Sequence, residues 1–183
     1  MSSFKQYWKI ILYVIILIIF IPLISLFVSW KTSPRFARFE ISLALQNRDS
    51  SICDKYYDYA RIVDYAISQS LNEMEDNPFG AIAYTMASNM RPTLINSLQT
   101  STKESFERGS IYRKNILKIF WNSYNNKSDE SAVKVVKIGK NKEEFYNCPI
   151  RDNQCYLFTW EKIEGKWKIT QFESGLRIKD VFK

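Results

Sequence analysis

Three cysteines, a scatter of carboxylates and no histidine define what chemistry is open to this chain of 183 residues. The absence of His removes the commonest metal ligand and the only side chain whose unperturbed pKa lies near neutrality, so His-based triads and most zinc sites are excluded. Cys148 and Cys155 flank Pro149 to Gln154, and in an oxidising compartment the two thiols could close a hairpin. Register decides between two arrangements. A two-residue turn at Asp152-Asn153 sets Cys148 opposite Leu157 and Cys155 opposite Ile150, leaving two independent thiols. A loop of four or six residues sets the cysteines opposite each other, and a bridge there contributes roughly 2.5 kcal/mol through loop closure. Cys53 reads as a small buried hydrophobe, because no His is present to activate it as a nucleophile.

The carboxylates give weaker signals. Asp54 and Asp58 fall at i and i+4 on a helix face, and Glu73, Glu75 and Asp76 form a second group. Such groups can hold Ca²⁺ or Mg²⁺, but no calcium-loop spacing appears and both read as solvated faces. The five glycines make neither a dinucleotide fingerprint nor a phosphate loop. Lys134, Lys137, Lys140 and Lys142 form the densest basic group, with Glu143 and Glu144 directly after, which reads as a solvated strand face. The formal charge is +7, yet the basic residues are interspersed with acids, so no nucleic-acid partner is expected. No catalytic residue, cofactor or metal site is assigned, and the chain is expected not to be an enzyme.

The elements that must position these residues begin with an apolar run. Ile10 to Ser29 is free of charge, and as a helix its 20 residues span roughly 30 Å, the thickness of a bilayer's hydrocarbon. Trp8 and Trp30 near its ends are expected interface anchors, with Lys5, Lys9, Lys31 and Arg35 beside them. Pro22 is tolerable inside such a helix. The run is longer than a signal-peptide core and lacks a small-x-small ending, so it reads as an uncleaved anchor at residues 10–30 in contact with the lipid bilayer. A cytoplasmic tail, 1–9, then precedes it. The part after Trp30 carries all 19 acidic residues and 24 of the 26 basic ones, a net charge of +5. That part, 31–183, is expected to be an extracytoplasmic domain.

Residues 33–125 read as helices and 131–173 as strands, a segregated order that predicts an α+β fold with an antiparallel sheet of at least three strands. Ser33-Pro34 reads as N-cap and first helical position. Asp49 or Ser51 can cap a short helix through Tyr57, and another follows from about Asp58 to Glu75. Phe79 to Leu98 resumes helical spacing, which Arg91-Pro92 is expected to kink or split. A fourth stretch is expected near Ile111 to Tyr124. Alternation then takes over, and Glu164-Gly165 predicts a tight hairpin between strands at Gln154 to Lys162 and Lys166 to Phe172.

Several landmarks together carry a resemblance. They are Ser33-Pro34, Gln46-Asn47-Arg48-Asp49, Tyr57-Asp58, Asp76-Asn77-Pro78-Phe79, Arg91-Pro92 and Gly165-Lys166-Trp167-Lys168-Ile169. In this order, after an anchor, they resemble the bacterial membrane-anchored domain-of-unknown-function 2939 family over residues 30 to about 173. Ala60 and Arg61 stand where members of that family often have Pro. The layout also looks like the nuclear transport factor 2-like cone, a fold that hosts enzymes, ligand binders and assembly modules. The resemblance implies location and fold and assigns no active-site residues. The leading expectation is therefore a membrane-anchored domain that binds an envelope protein partner or a small ligand, in a pocket lined by Phe79, Tyr84, Trp121, Phe158 and Trp160. Two alternatives stand beside it. One is a structural subunit of an envelope assembly, and the other a hydrolase or isomerase using Asp58 or Asp64 as base in that pocket.

Overall fold

The computed structural model describes residues 2–72, 80–109, 116–128, 131–149 and 154–182, in two compact units, 1–33 and 34–183. The first unit is a single helix, α1 (Ser2–Lys31), which carries both Trp8 and Trp30 and continues through Pro22. Its stretch Ile11–Lys31 has a mean hydropathy of 3.2, and the side chains from Ile11 to Ser29 are all exposed. Among the described residues it is the one helix long and apolar enough to cross a membrane.

The second unit is α+β, with helices first and a four-stranded antiparallel sheet last. Pro34 opens α2 (Pro34–Asn47), where its fixed φ suits the first turn and its missing N–H is no loss. The Ser33 hydroxyl, expected to cap α2, donates to the Trp30 carbonyl at 2.5 Å. Arg48 ends α2 at φ 58°, and the Asp49 N–H reaches back to the Ala44 carbonyl at 2.9 Å, a Schellman ending. Asp49 then accepts from the Ser51 N–H at 3.0 Å, opening a 3-10 turn at Ser50–Ile52 that runs into α3 (Cys53–Tyr56).

Asp58 precedes α4 (Tyr59–Asn72) and accepts from the Arg61 N–H at 3.2 Å, while its own N–H donates to the Ile169 carbonyl at 2.9 Å. That bond ties the helical layer to the last strand. The expected split at Arg91-Pro92 does not occur, for α5 runs unbroken over Gly80–Arg108. Proline removes one backbone bond there, and Arg91 forks onto Asp64 of α4 at 2.6 and 2.9 Å, tying the two helices together beside the proline. The helix passes well beyond Leu98 because Phe106 near its end is core, packed with Ala44, Cys53 and Tyr59. It stops at Gly109, φ 74°, where a Cβ would lie 2.9 Å from Arg48 Cγ and 3.1 Å from the Leu45 carbonyl. The last long helix, α6 (Ile116–Asn125), was expected to start near Ile111, which lies outside the described residues.

Four strands follow in spatial order: β1 (Ser131–Lys137), β2 (Lys142–Pro149), β3 (Gln154–Ile163) and β4 (Lys166–Arg177). Strand structure thus continues past 173, and a short α7 (Ile178–Val181) closes the chain. Glu164 and Gly165 turn the β3–β4 hairpin with φ of 50° and 80°, the two positive values of a type I′ turn. β4 is 12 residues long against 10 in β3, and the register shifts twice, between Cys155 and Leu157 and between Thr159 and Trp160. Both extra residues fall in β4, and Gly175 with φ 83° sits in one of these bulges.

The register Asn147↔Tyr156 carries on to set Cys148 against Cys155, which form a disulfide. The longer-loop arrangement therefore holds. The bridge is fully buried with Val181 of α7, on the sheet face opposite to that packed against the helices. Replacing both cysteines by Ala is expected to lower stability by about 2.5 kcal/mol, the entropy of closing so short a loop, read as a shift in urea midpoint at unchanged slope. A midpoint unmoved by the change would show that the sheet holds its register without the bridge.

Candidate functional site

Three periodicities converge on one cavity. On α2, Arg38, Ile41, Ser42 and Leu45 follow i, i+3, i+4, i+7. On α6 and the turn after it, Ile119, Asn122, Ser123 and Asn126 repeat that spacing, while Phe145 and Asn147, and Phe158 and Trp160, alternate along β2 and β3. Together with Val133 and Ile169 they enclose about 370 Å³ between the helices and the sheet. The size suits a small molecule, and the inner wall is mostly apolar. Gln46, Asn122, Lys127 and Ser128 gather where α2 and α6 end.

One buried charged group lies in that wall, beside the exposed Lys127. Arg38 is 8% exposed and its Nη1 donates to Glu143 of β2 at 2.7 Å. Its Nη2 donates to the Asn126 side-chain oxygen, and its guanidinium lies 4.5 Å from the centre of the Phe145 ring. Burial pulls the Arg38 pKa down, and the Glu143 carboxylate opposes it. Asn126 can serve because it stands at φ 54°, ending α6 with the Lys127 N–H on the Asn122 carbonyl at 2.8 Å. Asparagine tolerates that conformation as few residues do.

Two donors in the cavity wall have no protein acceptor: the Arg38 Nε and the Trp160 Nε1, the latter on a residue only 2% exposed. Buried donors are nearly always paired, so these two stand out among the residues that line the cavity. With Arg38 already balanced by Glu143, the buried part of the wall suits a neutral acceptor, while the exposed Lys127 adds a positive charge at its edge.

Of the five aromatic residues expected here, Phe158 and Trp160 line the cavity. Tyr84 and Trp121 do not, each being 61% exposed. Trp121 shares a helix with the cavity residues but falls between Ile119 and Ser123, which turns it outward, and Tyr84 lies on α5, which gives the cavity no residue. Phe79 lies outside the described residues. Neither Asp58 nor Asp64 faces the cavity. Asp58 starts α4 beside Arg61, and the hydrogen bonds from Arg91 hold the Asp64 carboxyl below its ordinary range. Cys53 is fully buried, and burial pushes its thiol pKa up. Among the described residues no group of His, Cys, Asp or Glu could hold a metal ion.

Sequence reasoning missed Arg38, Glu143 and Asn126. The signal was present: Arg38 interrupts the apolar stripe of Ile41 and Leu45, and Glu143 alternates in step with Phe145 and Asn147. Comparison with family models, with curated proteins and with solved structures gives no match.

Glu143→Gln is expected to cost about 3–5 kcal/mol in urea unfolding, because it strands the Arg38 charge in the wall. The double variant Arg38→Met/Glu143→Leu should recover most of that loss. A single variant costing under about 1 kcal/mol would mean the pair behaves as an exposed one.

Proposed function

We propose that this chain is a single-pass protein of the bacterial envelope whose α+β domain binds a small, neutral, largely apolar ligand bearing a hydrogen-bond acceptor. Residues 10–30 anchor it in the inner membrane, 1–9 form the cytoplasmic tail, and the domain lies on the periplasmic side. The observation that carries the binding reading is the cavity between α2, α6 and the sheet with two unpaired buried donors, Trp160 Nε1 and Arg38 Nε. The anchor reading rests on the length and hydropathy of a helix whose side chains from Ile11 to Ser29 are exposed. The buried Cys148–Cys155 bridge supports the oxidising side of the membrane. On this reading the chain is kin to the nuclear transport factor 2-like cone and to the membrane-anchored family that the sequence resembles, a kinship that rests on the sequence landmarks alone. The role is non-enzymatic binding, since both carboxylates considered as bases lie away from the cavity.

The full chain in nanodiscs, titrated with prodan, a neutral naphthyl ketone, should show saturable energy transfer from tryptophan. Ser42→Phe, which fills the cavity, should abolish the saturable component. Ile41→Ala, which enlarges the cavity, should leave it in place. A ketone held by the indole N–H predicts roughly tenfold weaker binding in Trp160→Phe, the loss of one buried hydrogen bond. Transfer that never saturates, equal in wild type and Ser42→Phe, would reflect lipid partitioning and would sink the binding reading.

For the orientation, a membrane-impermeant maleimide applied to intact cells should label Lys166→Cys, at the exposed β3–β4 turn, because Cys148, Cys155 and Cys53 are all buried. Labelling that waits for lysis would place the domain in the cytoplasm.

A further inference from the structure

The Cys148–Cys155 bridge is fully buried although it lies on the sheet face turned away from the helical layer. Its cover comes from the last elements of the domain. Both cysteines pack into one buried cluster with Val181 of α7, and Leu176, Ile178 and Tyr146 close around that cluster.

α7 has only four residues, and isolated helices shorter than about 12–15 residues are marginal in water, so its place is set by what holds it from outside. Val181 is its one buried side chain. The Lys134 ammonium, reaching from β1, donates to the Val181 carbonyl at the helix's last turn. Lys134 is therefore half-buried and employed, where the sequence places it on a solvated strand face. Arg177, just before α7, pairs with Asp180 at 2.8 Å, an exposed pair of the kind that adds little. α7 gives no residue to the cavity or to the two clusters that join helices and sheet, so it can lift while they stay packed.

Reduction of the bridge requires a thiolate to reach sulfur. A small dithiol does this in two steps. Its first thiolate attacks one cysteine sulfur, forming a mixed disulfide and releasing the other cysteine as thiolate. Its second thiolate then attacks the reductant's sulfur in that mixed disulfide, closing the reductant's own ring and releasing the remaining cysteine. Two electrons pass to the bridge, and the two cysteine thiolates take up two protons. While Val181 is seated, neither sulfur is open to the first attack.

We propose that α7 is a gate on the Cys148–Cys155 bridge. Seated, it shuts the bridge off from thiol exchange; lifted locally, it admits a small dithiol without unfolding of the domain. Anything that draws Ile178–Val181 off the sheet then makes a structural disulfide an exchangeable one.

The test follows reduction of the full chain in nanodiscs by excess dithiothreitol at fixed pH. Samples are quenched in acid, denatured and counted for thiols with a polyethylene-glycol maleimide: one thiol, Cys53, in the bridged chain and three in the reduced one. Wild type should react far more slowly than the urea-unfolded chain. Val181→Ala, which removes two buried methyl groups, should speed reduction on the order of tenfold. Lys134→Met should speed it several-fold, roughly the loss of one charged hydrogen bond. Ile62→Val, which weakens the core on the other side of the sheet, should leave the rate unchanged. Reduction of wild type as fast as that of the unfolded chain overturns the inference, since the bridge then has no gate. Equal rates in wild type, Val181→Ala and Lys134→Met overturn it as well, since the cover is then something other than α7. So does an Ile62→Val chain that speeds up as much as Val181→Ala, for reduction would then pass through global unfolding.

Discussion

Arg38 holds a charge where almost none of its surface reaches water, and the domain is arranged around that fact. Removing a guanidinium from solvent costs several kcal/mol, and only good geometry with several partners offsets it. The partners come from separate elements: the Glu143 carboxylate and the Phe145 ring from β2, and the Asn126 amide from the turn after α6. One side chain on α2 thus fixes the distance from α2 to the sheet and from α2 to α6. A purely apolar interior would close on an empty volume of this size, because side chains relax toward contact. The ion pair resists that relaxation, since any approach of α2 to the sheet would break bonds that have directions. The cavity persists because its wall is electrostatic as well as apolar.

The sheet makes room for the same space. Two extra residues in β4 bend that strand against β3, one beside Thr170 and the other at Ser174-Gly175. At the first bulge, Trp160 lies opposite Ile169 while Thr159 and Thr170 are both fully buried, so neighbouring positions on each strand point into packed surroundings. The disulfide acts at a distance on this arrangement. Cys148 against Cys155 imposes the register that, five residues along β2, sets Glu143 against Trp160. A slip of one residue would carry Glu143 to the other face and leave Arg38 without its partner. The crosslink behind the sheet and the ion pair in front of it are two statements of one register.

What could be read from the sequence divides along the same line. Local rules sufficed for the apolar helix, Pro34 at a helix start, Asp49 as a cap, the Glu164-Gly165 turn and the helix-to-strand switch near residue 130. Each depends on residues close together in the chain. The cysteine pair was narrowed to two registers, and pairing across β2 and β3 chose between them. The site was legible only in part. Phe158 and Trp160 follow from strand alternation, whereas Tyr84 and Trp121 were placed by chemical type: Trp121 missed on helix phase, and Tyr84 lies on a helix that gives the cavity no residue. Arg38 and Glu143 were hidden because a basic residue near a membrane segment and an acid after a lysine run both read as solvated. Their burial is set by a contact 105 positions apart, which no local pattern contains. Arg48 and Asn126 end their helices in left-handed conformations without the glycine that announces such ends.

On the proposed reading, tether and cavity answer to each other through affinity. A ligand that fits this space has about 20 non-hydrogen atoms, and at about 0.3 kcal/mol for each it binds with about 6 kcal/mol, a Kd on the order of tens of micromolar. A sparingly soluble neutral molecule does not reach that concentration in water, since the same apolar surface that favours the cavity drives it into lipid. In the bilayer it accumulates, and a domain joined to an apolar helix by only a few residues samples that accumulated pool. Weak binding by a mostly apolar wall is then sufficient, provided one polar group sets orientation, and the unpaired Trp160 N–H in a site already charge-balanced by Arg38 and Glu143 supplies it. The anchor does for occupancy what a larger contact surface would otherwise have to do.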